Sequence, residues 1–194
     1  METIFTKLVS TVQDVMIKHL ILAGLAGIGL VGCGDSRPPL KTVPHVDLQR
    51  YLGTWYVIAN IPYSLEKGKV ATADVYTMRE DGKMGNSFVF RRKDFSAPEE
   101  HWDGYAWVID GTGNAEWRVR FIWPFSATYL VIDLDPDYRW AVVGHPSRDL
   151  FWVLSRTRQL DQTIYAGILQ RAAAQGYDVS RVAPVPQPIE ATTP

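Results

Sequence analysis

Hydrophobic and polar positions alternate through most of the chain between residues 46 and 183. Residues 115–122 carry the pattern most cleanly: Trp117, Val119 and Phe121 face one way, and Glu116, Arg118 and Arg120 the other. A period of two with one polar face marks a half-buried strand. Comparable runs recur at 54–61, 70–80, 83–93, 101–110, 127–135, 138–144 and 150–157, with turn residues between them. Asp81-Gly82 predicts a hairpin turn. Gly111-Thr112-Gly113-Asn114, Pro136-Asp137 and His145-Pro146-Ser147 predict three more, and Trp123-Pro124-Phe125-Ser126 breaks the chain after the fifth strand. The period then lengthens. Ile164, Ile168 and Leu169 recur at helical spacing between Asp161 and a Gly176 C-cap. Asp47 is placed to cap a helical turn before the first strand, and residues 177–182 predict a short terminal strand. Eight sequential strands without parallel crossovers predict an all-β fold: an eight-stranded antiparallel up-and-down barrel with the C-terminal helix packed outside. A β-sandwich is the alternative, but the Greek-key spacing it needs is scarce. Closure removes exposed sheet edges, and eight strands leave room for one small ligand.

The amino end follows a different pattern. Lys18 and His19 precede an apolar run from Leu20 to Val31, about a dozen residues where a spanning helix needs about 20. A basic start, a short apolar stretch and small residues describe a secretory signal. Leu30-Val31-Gly32-Cys33 resembles the lipobox of bacterial lipoproteins. That resemblance implies that residues 1–32 are a signal peptide and that Cys33 is acylated as the first residue of the mature chain. It implies membrane attachment through that lipid, and Gly34 after the cysteine points to the outer membrane, facing the periplasm. A buried cysteine in a plain signal or core helix is the other reading. It leaves unexplained why the one cysteine falls where the apolar run stops. Glu2 and Asp14 fit a signal poorly, so Met16 is the expected true start. Residues 33–45 contain Pro38, Pro39 and Pro44 and predict an extended tether. Residues 184–194 are again proline-rich and predict a disordered tail.

Composition narrows the function. The chain has 194 residues, 46% hydrophobic and 21% charged, which suits one domain with a core. A net charge of −1 gives no basic footprint for nucleic acid. A single cysteine excludes an intramolecular disulfide framework. His19, His45, His101 and His145 form no metal-binding spacing. Asp133, Asp135 and Asp137 mimic the start of a calcium loop, but Tyr138 and Gly144 stand where Gly and Glu are required. Ser147 and Ser155 lack a nucleophile-elbow context. No metal, cofactor or catalytic residue is expected, so the chain reads as a binding protein rather than an enzyme. A catalytic variant of the fold would need a buried carboxyl with a shifted pKa, and Asp74 and Asp103 are the strand-interior candidates.

Three ordered segments carry a family resemblance across about 135 residues. Gly53-Thr54-Trp55-Tyr56 resembles the G-x-W signature of the lipocalins, residues 128–144 (TYLVIDLDPDYRWAVVG) their second conserved region, and LFWVLSRT their third. DLQRYLGTWYVIA, WPF and WVLSRT together resemble the bacterial outer-membrane subgroup, which is similar to apolipoprotein D and plant temperature-induced lipocalins. The resemblance implies that Trp55 plugs one end of the barrel, that Arg156 lies over its indole, and that Gly53 turns the backbone where a side chain would crowd the plug. It implies storage or transport of a fatty acid, lysophospholipid or similar hydrophobic ligand. Members of the family can dimerise, so a homodimer is among the partners it allows. A lipid-modifying enzyme on the same barrel and a structural envelope lipoprotein with a filled barrel are the alternatives.

The ligand would meet the inward faces. Trp117, Val119 and Phe121 form the clearest of these. Phe88 and Phe90, Tyr129 and Val131, Trp140 and Val142, and Trp152 are further candidates. The pattern does not fix their facing, because a slip of one residue exchanges the two faces.

Overall fold

The computed structural model describes residues 37–188. Asp47 caps α1 (Leu48–Tyr51), its carboxylate accepting from the backbone N–H groups of Gln49 and Arg50. The strands are β1 (Gly53–Asn60), β2 (Lys69–Met78), β3 (Met84–Arg92), β4 (Glu99–Val108), β5 (Glu116–Arg120), β6 (Ala127–Leu134), β7 (Trp140–Gly144) and β8 (Phe151–Ser155). Helix α2 (Gln162–Ala174), capped by Asp161, a 3-10 turn at Val179–Arg181 and a two-residue strand β9 (Ala183–Pro184) complete the order. Each strand from β1 to β8 pairs antiparallel with its neighbours in sequence, and β1 pairs with both β2 and β8. The sheet is therefore a closed eight-stranded barrel. The expected strand at 177–182 is replaced by the 3-10 turn, and β9 lies just beyond it.

Two apolar clusters divide the residues by face. Inside the barrel lie Trp55, Val57, Tyr76, Met84, Trp117, Val131, Val143 and Leu154. Outside, beneath α2, Leu130, Ile132, Trp140, Val142, Phe151 and Val153 pack with Ile168, Ala172 and Tyr177. Helix α2 thus covers one side of the barrel, and the strands there are apolar on both faces.

Both flanking segments differ from expectation. Residues 37–45 are seated against the barrel rather than extended from it. The Arg37 guanidinium donates to the Ser147 carbonyl (3.1 Å), Lys41 N–H to Gln175 Oε1 (2.8 Å) and Val43 N–H to the Val131 carbonyl (2.9 Å). Residues 184–188 are not a disordered tail. β1 and β2 pair only from Gly53↔Tyr76 to Tyr56↔Ala73 and then separate at a bulge in β2. The C-terminal segment fills the gap: β9 pairs with Ala59 and Asn60, Val185 N–H donates to Ile58, and Gln187 Nε2 donates to the carbonyls of Val57 and Thr72 (both 2.9 Å). Backbone groups of both splayed strands thereby find partners, which buried polar groups require. Cys33 and the signal segment lie outside the described residues, as does the chain from 189 onward.

Candidate functional site

One end of the barrel is packed solid. Trp55 is fully buried, and its indole N–H donates to the Tyr51 carbonyl (2.7 Å). The Arg156 guanidinium lies 3.7 Å from the centroid of that indole. It also donates to three carbonyls, those of Thr54 (2.9 Å), Arg50 (2.6 Å) and Tyr138 (3.3 Å). A cation on a desolvated indole contributes up to about 2 kcal/mol. Gly53 adopts φ +93°, and a Cβ there would sit 3.4 Å from Arg156 Nη1. Glycine accepts that backbone without strain. Above the plug, Tyr51, Tyr76 and Tyr129 join through their hydroxyls: Tyr51 Oη is 2.9 Å from Tyr129 Oη, and Tyr76 donates to Tyr129 at 3.0 Å. Trp117 stacks on Tyr129 with centroids 4.7 Å apart.

The other end is open onto a cavity of about 700 Å³. That volume falls within the usual range for small-molecule sites. Of the residues expected from sequence, Phe88, Val119, Phe121, Tyr129 and Trp152 line it. Trp117 and Val131 point inward but belong to the packed interior cluster with Trp55 and are not part of the cavity wall. Phe90 is buried against Phe88 and Trp102, with the Lys69 ammonium 4.6 Å from its centroid, also off the wall. Trp140 and Val142 are corrected outright: both lie on the outer face under α2, and Val143 lines the cavity instead. Every residue of β7 is buried, so its sequence carries no period-two signal from which facing could be read.

Polar groups that the apolar pattern could not reveal also line the hollow. Glu66, in the loop after β1, accepts from Asn60 Nδ2 (2.5 Å), Trp152 Nε1 (3.1 Å) and the Tyr63 hydroxyl (3.2 Å). Burial raises its carboxyl above the ordinary range, and these donors oppose the shift. Asp74 faces the cavity from β2, where burial and then the charge of Glu66 push its carboxyl up to about 8. Asn86 faces it from β3. Asp103, the other strand carboxylate singled out by sequence, also lines the cavity, but it is 69% exposed and accepts from Ser87 Oγ (2.6 Å). Among the described residues, no group of three or more His, Cys, Asp and Glu side chains is placed to hold a metal ion.

Part of the rim of the opening is apolar. Ile122 (67% exposed), Trp123 (79%) and Phe125 (75%) project from the turn between β5 and β6, and Leu65 from the loop after β1. Patches of exposed large apolar side chains mark interaction surfaces more often than isolated ones do.

Comparison with known proteins agrees with this architecture. A family model described as a lipocalin-like domain matches residues 46–187. The chain is 34% identical over 174 residues to outer membrane lipoprotein Blc of Escherichia coli (strain K12), an alignment covering 87% of this chain and 96% of that protein. It is 32% identical over 161 residues to temperature-induced lipocalin-1 of Arabidopsis thaliana, covering 78% and 85%. Among solved structures, insecticyanin from the tobacco hornworm Manduca sexta superposes with a TM-score of 0.62 at 19% identity, over 79% of this chain and 86% of that one.

Proposed function

The chain belongs to the lipocalin family, and on that premise we propose that its barrel holds a small hydrophobic or amphiphilic ligand at the outer membrane, for storage or transport of lipid. The observation that carries this is the hollow of about 700 Å³, open at one end and walled largely by apolar side chains. Each methylene moved from water into such a hollow contributes about 0.8 kcal/mol, so a single alkyl chain supplies most of the affinity. A barrel filled by its own side chains would have no such space.

The relatives and the chain itself support this position. The bacterial relative is named an outer membrane lipoprotein, and Cys33 ends a lipobox-like segment. Arg37 is bonded to Ser147, in the turn that leads to the cavity-lining Leu150 and Trp152. Cys33 precedes Arg37 by four residues, which span at most about 14 Å when extended. An acyl group on Cys33 would therefore hold the mouth and its rim of Ile122, Trp123 and Phe125 close to a lipid surface. Tethering of this kind raises the effective concentration of ligand at the opening.

The test is organic extraction of the protein purified from a bacterial envelope, followed by titration of its tryptophan fluorescence with single-chain amphiphiles. Recovery of bound lipid and saturable quenching are expected. A protein that carries no lipid and shows no quenching contradicts the reading.

Asp74 favours one second reading. A cavity carboxyl raised toward neutrality is what a general acid or base requires. A barrel that modifies its lipid would use Asp74, and turnover of lipid esters that vanishes in Asp74→Asn is the observation that would favour catalysis.

A further inference from the structure

The cavity is not uniformly apolar, and two of its polar groups, Asp74 and Asn86, lack side-chain partners. We propose that its floor is a socket for a hydrogen-bond donor: Asp74 and Asn86 receive the hydroxyl or amine of a long-chain alcohol or amine that enters polar end first, and the cavity discriminates against carboxylates. This rests on the ligand-binding function proposed above.

Four observations converge on it. Asp74 and Asn86 lie on adjacent strands, where Asp74 pairs with Phe88 and Tyr76 with Asn86, and all four line the cavity. Asn86 is only 4% exposed, and its Oδ1 is buried with no hydrogen-bond partner. On its other side Asn86 pairs with Gly104, which offers no side chain to satisfy it. An orphaned acceptor costs free energy until a donor arrives. The Asp74 carboxyl makes no side-chain hydrogen bond with another described residue, in contrast to Glu66 with its three donors. Finally, no lysine or arginine lines the cavity, while Glu66 and Asp74 do, and Asp103 beside His101 lines its exposed part. Glu66 raises the Asp74 carboxyl through its charge, after the larger effect of burial. An anionic head would therefore enter beside two carboxyl groups with no lysine or arginine to neutralise it. A hydroxyl or ammonium would instead supply the donor that Asn86 Oδ1 lacks and accept or donate at Asp74. An alkyl tail reaching the same depth would leave both groups unsatisfied.

The experiment compares 1-dodecanol, dodecylamine and dodecanoate, which share one chain length, by displacement of a fluorescent probe from the full-length protein at neutral pH. The alcohol and the amine are expected to bind at least about tenfold more tightly than the carboxylate, the ratio that about 1.4 kcal/mol produces. Asn86→Leu is expected to remove most of that preference by weakening the alcohol and the amine while leaving dodecanoate unchanged. Asp74→Asn, which keeps shape and hydrogen-bonding capacity but cannot ionise opposite an ammonium, is expected to keep the alcohol and weaken the amine, so it reports the carboxyl's part should Asn86→Leu fail to fold. Equal affinities for all three, or tightest binding of dodecanoate, overturn the inference and leave the ligand-binding function standing. Binding of none overturns both.

Discussion

The two ends of the barrel are built from similar residues to opposite effect. At the closed end, Trp55 is fully buried, its N–H satisfied by Tyr51 and its face covered by Arg156. At the open end, Trp123 is 79% exposed in a turn beside Phe125 and Ile122. An indole under a guanidinium that itself spans three carbonyls joins α1, β1, the turn before β7 and the end of β8 in one contact. Stability concentrates there. The opposite rim leaves Ile122, Trp123 and Phe125 exposed. The difference shows that aromatic content by itself does not assign a role; the polar partners around each ring do.

The largest effect that separates the ends is expected from Trp55→Ala, which removes the plug from a fully buried site. Urea unfolding is expected to register a loss of about 3–5 kcal/mol. A loss below about 1 kcal/mol would mean that the closed end does not carry the fold.

Asp74 provides a pH signature from the floor of the hollow. Its folded pKa of about 8 is raised from the ordinary 3.8. A group raised in this way stabilises the folded state fully below its unfolded pKa, and the contribution is lost as pH rises through the folded value. Stability should therefore decline between about pH 4 and pH 8, with Glu66 acting in the same direction. Asp74→Asn lacks the ionisation, so its stability relative to wild type should grow by on the order of a few kcal/mol between pH 4 and pH 9. Urea midpoints at the two pH values measure this, and a pH-independent difference would contradict it.

Arg156→Ala leaves the Thr54 and Arg50 carbonyls without their donor and uncovers Trp55. A loss of about 2 kcal/mol is expected by the same unfolding assay, with Arg156→Lys intermediate, because an ammonium cannot span the three carbonyls. At the open end, Val143→Trp should fill part of the hollow and weaken amphiphile binding tenfold or more, with the circular dichroism spectrum preserved. The smallest effect on stability is expected from Trp123→Ser, within about 0.5 kcal/mol, together with reduced sedimentation of the protein with phospholipid vesicles. A large destabilisation there would erase the contrast between the ends.

The sequence made the strands legible because period-two alternation survives wherever one face meets solvent, as in β5. It failed at β7 for the converse reason: α2 buries the outer face, so Trp140 and Val142 look like Ala141 and Val143. β5 ends at Arg120, short of Phe121 and Ile122, because those residues turn the chain at the rim. The proline-rich ends read as spacers, yet residues 37–45 and 184–188 are held by backbone and Gln187 hydrogen bonds that carry no hydrophobic pattern. Asn86 and Glu66 were silent for a related cause. A polar residue inside a strand or loop looks solvent-facing until the topology shows that a cavity lies behind it.

The most direct test of a barrel stoppered at one end and hollow at the other is a crystal structure of the protein with a long-chain amphiphile brominated along its chain. The anomalous signal is predicted inside the barrel, between the rim at Trp152 and the floor at Asp74. Bromine found only on the outer apolar rim, with the interior occupied by the protein's own side chains, would contradict it.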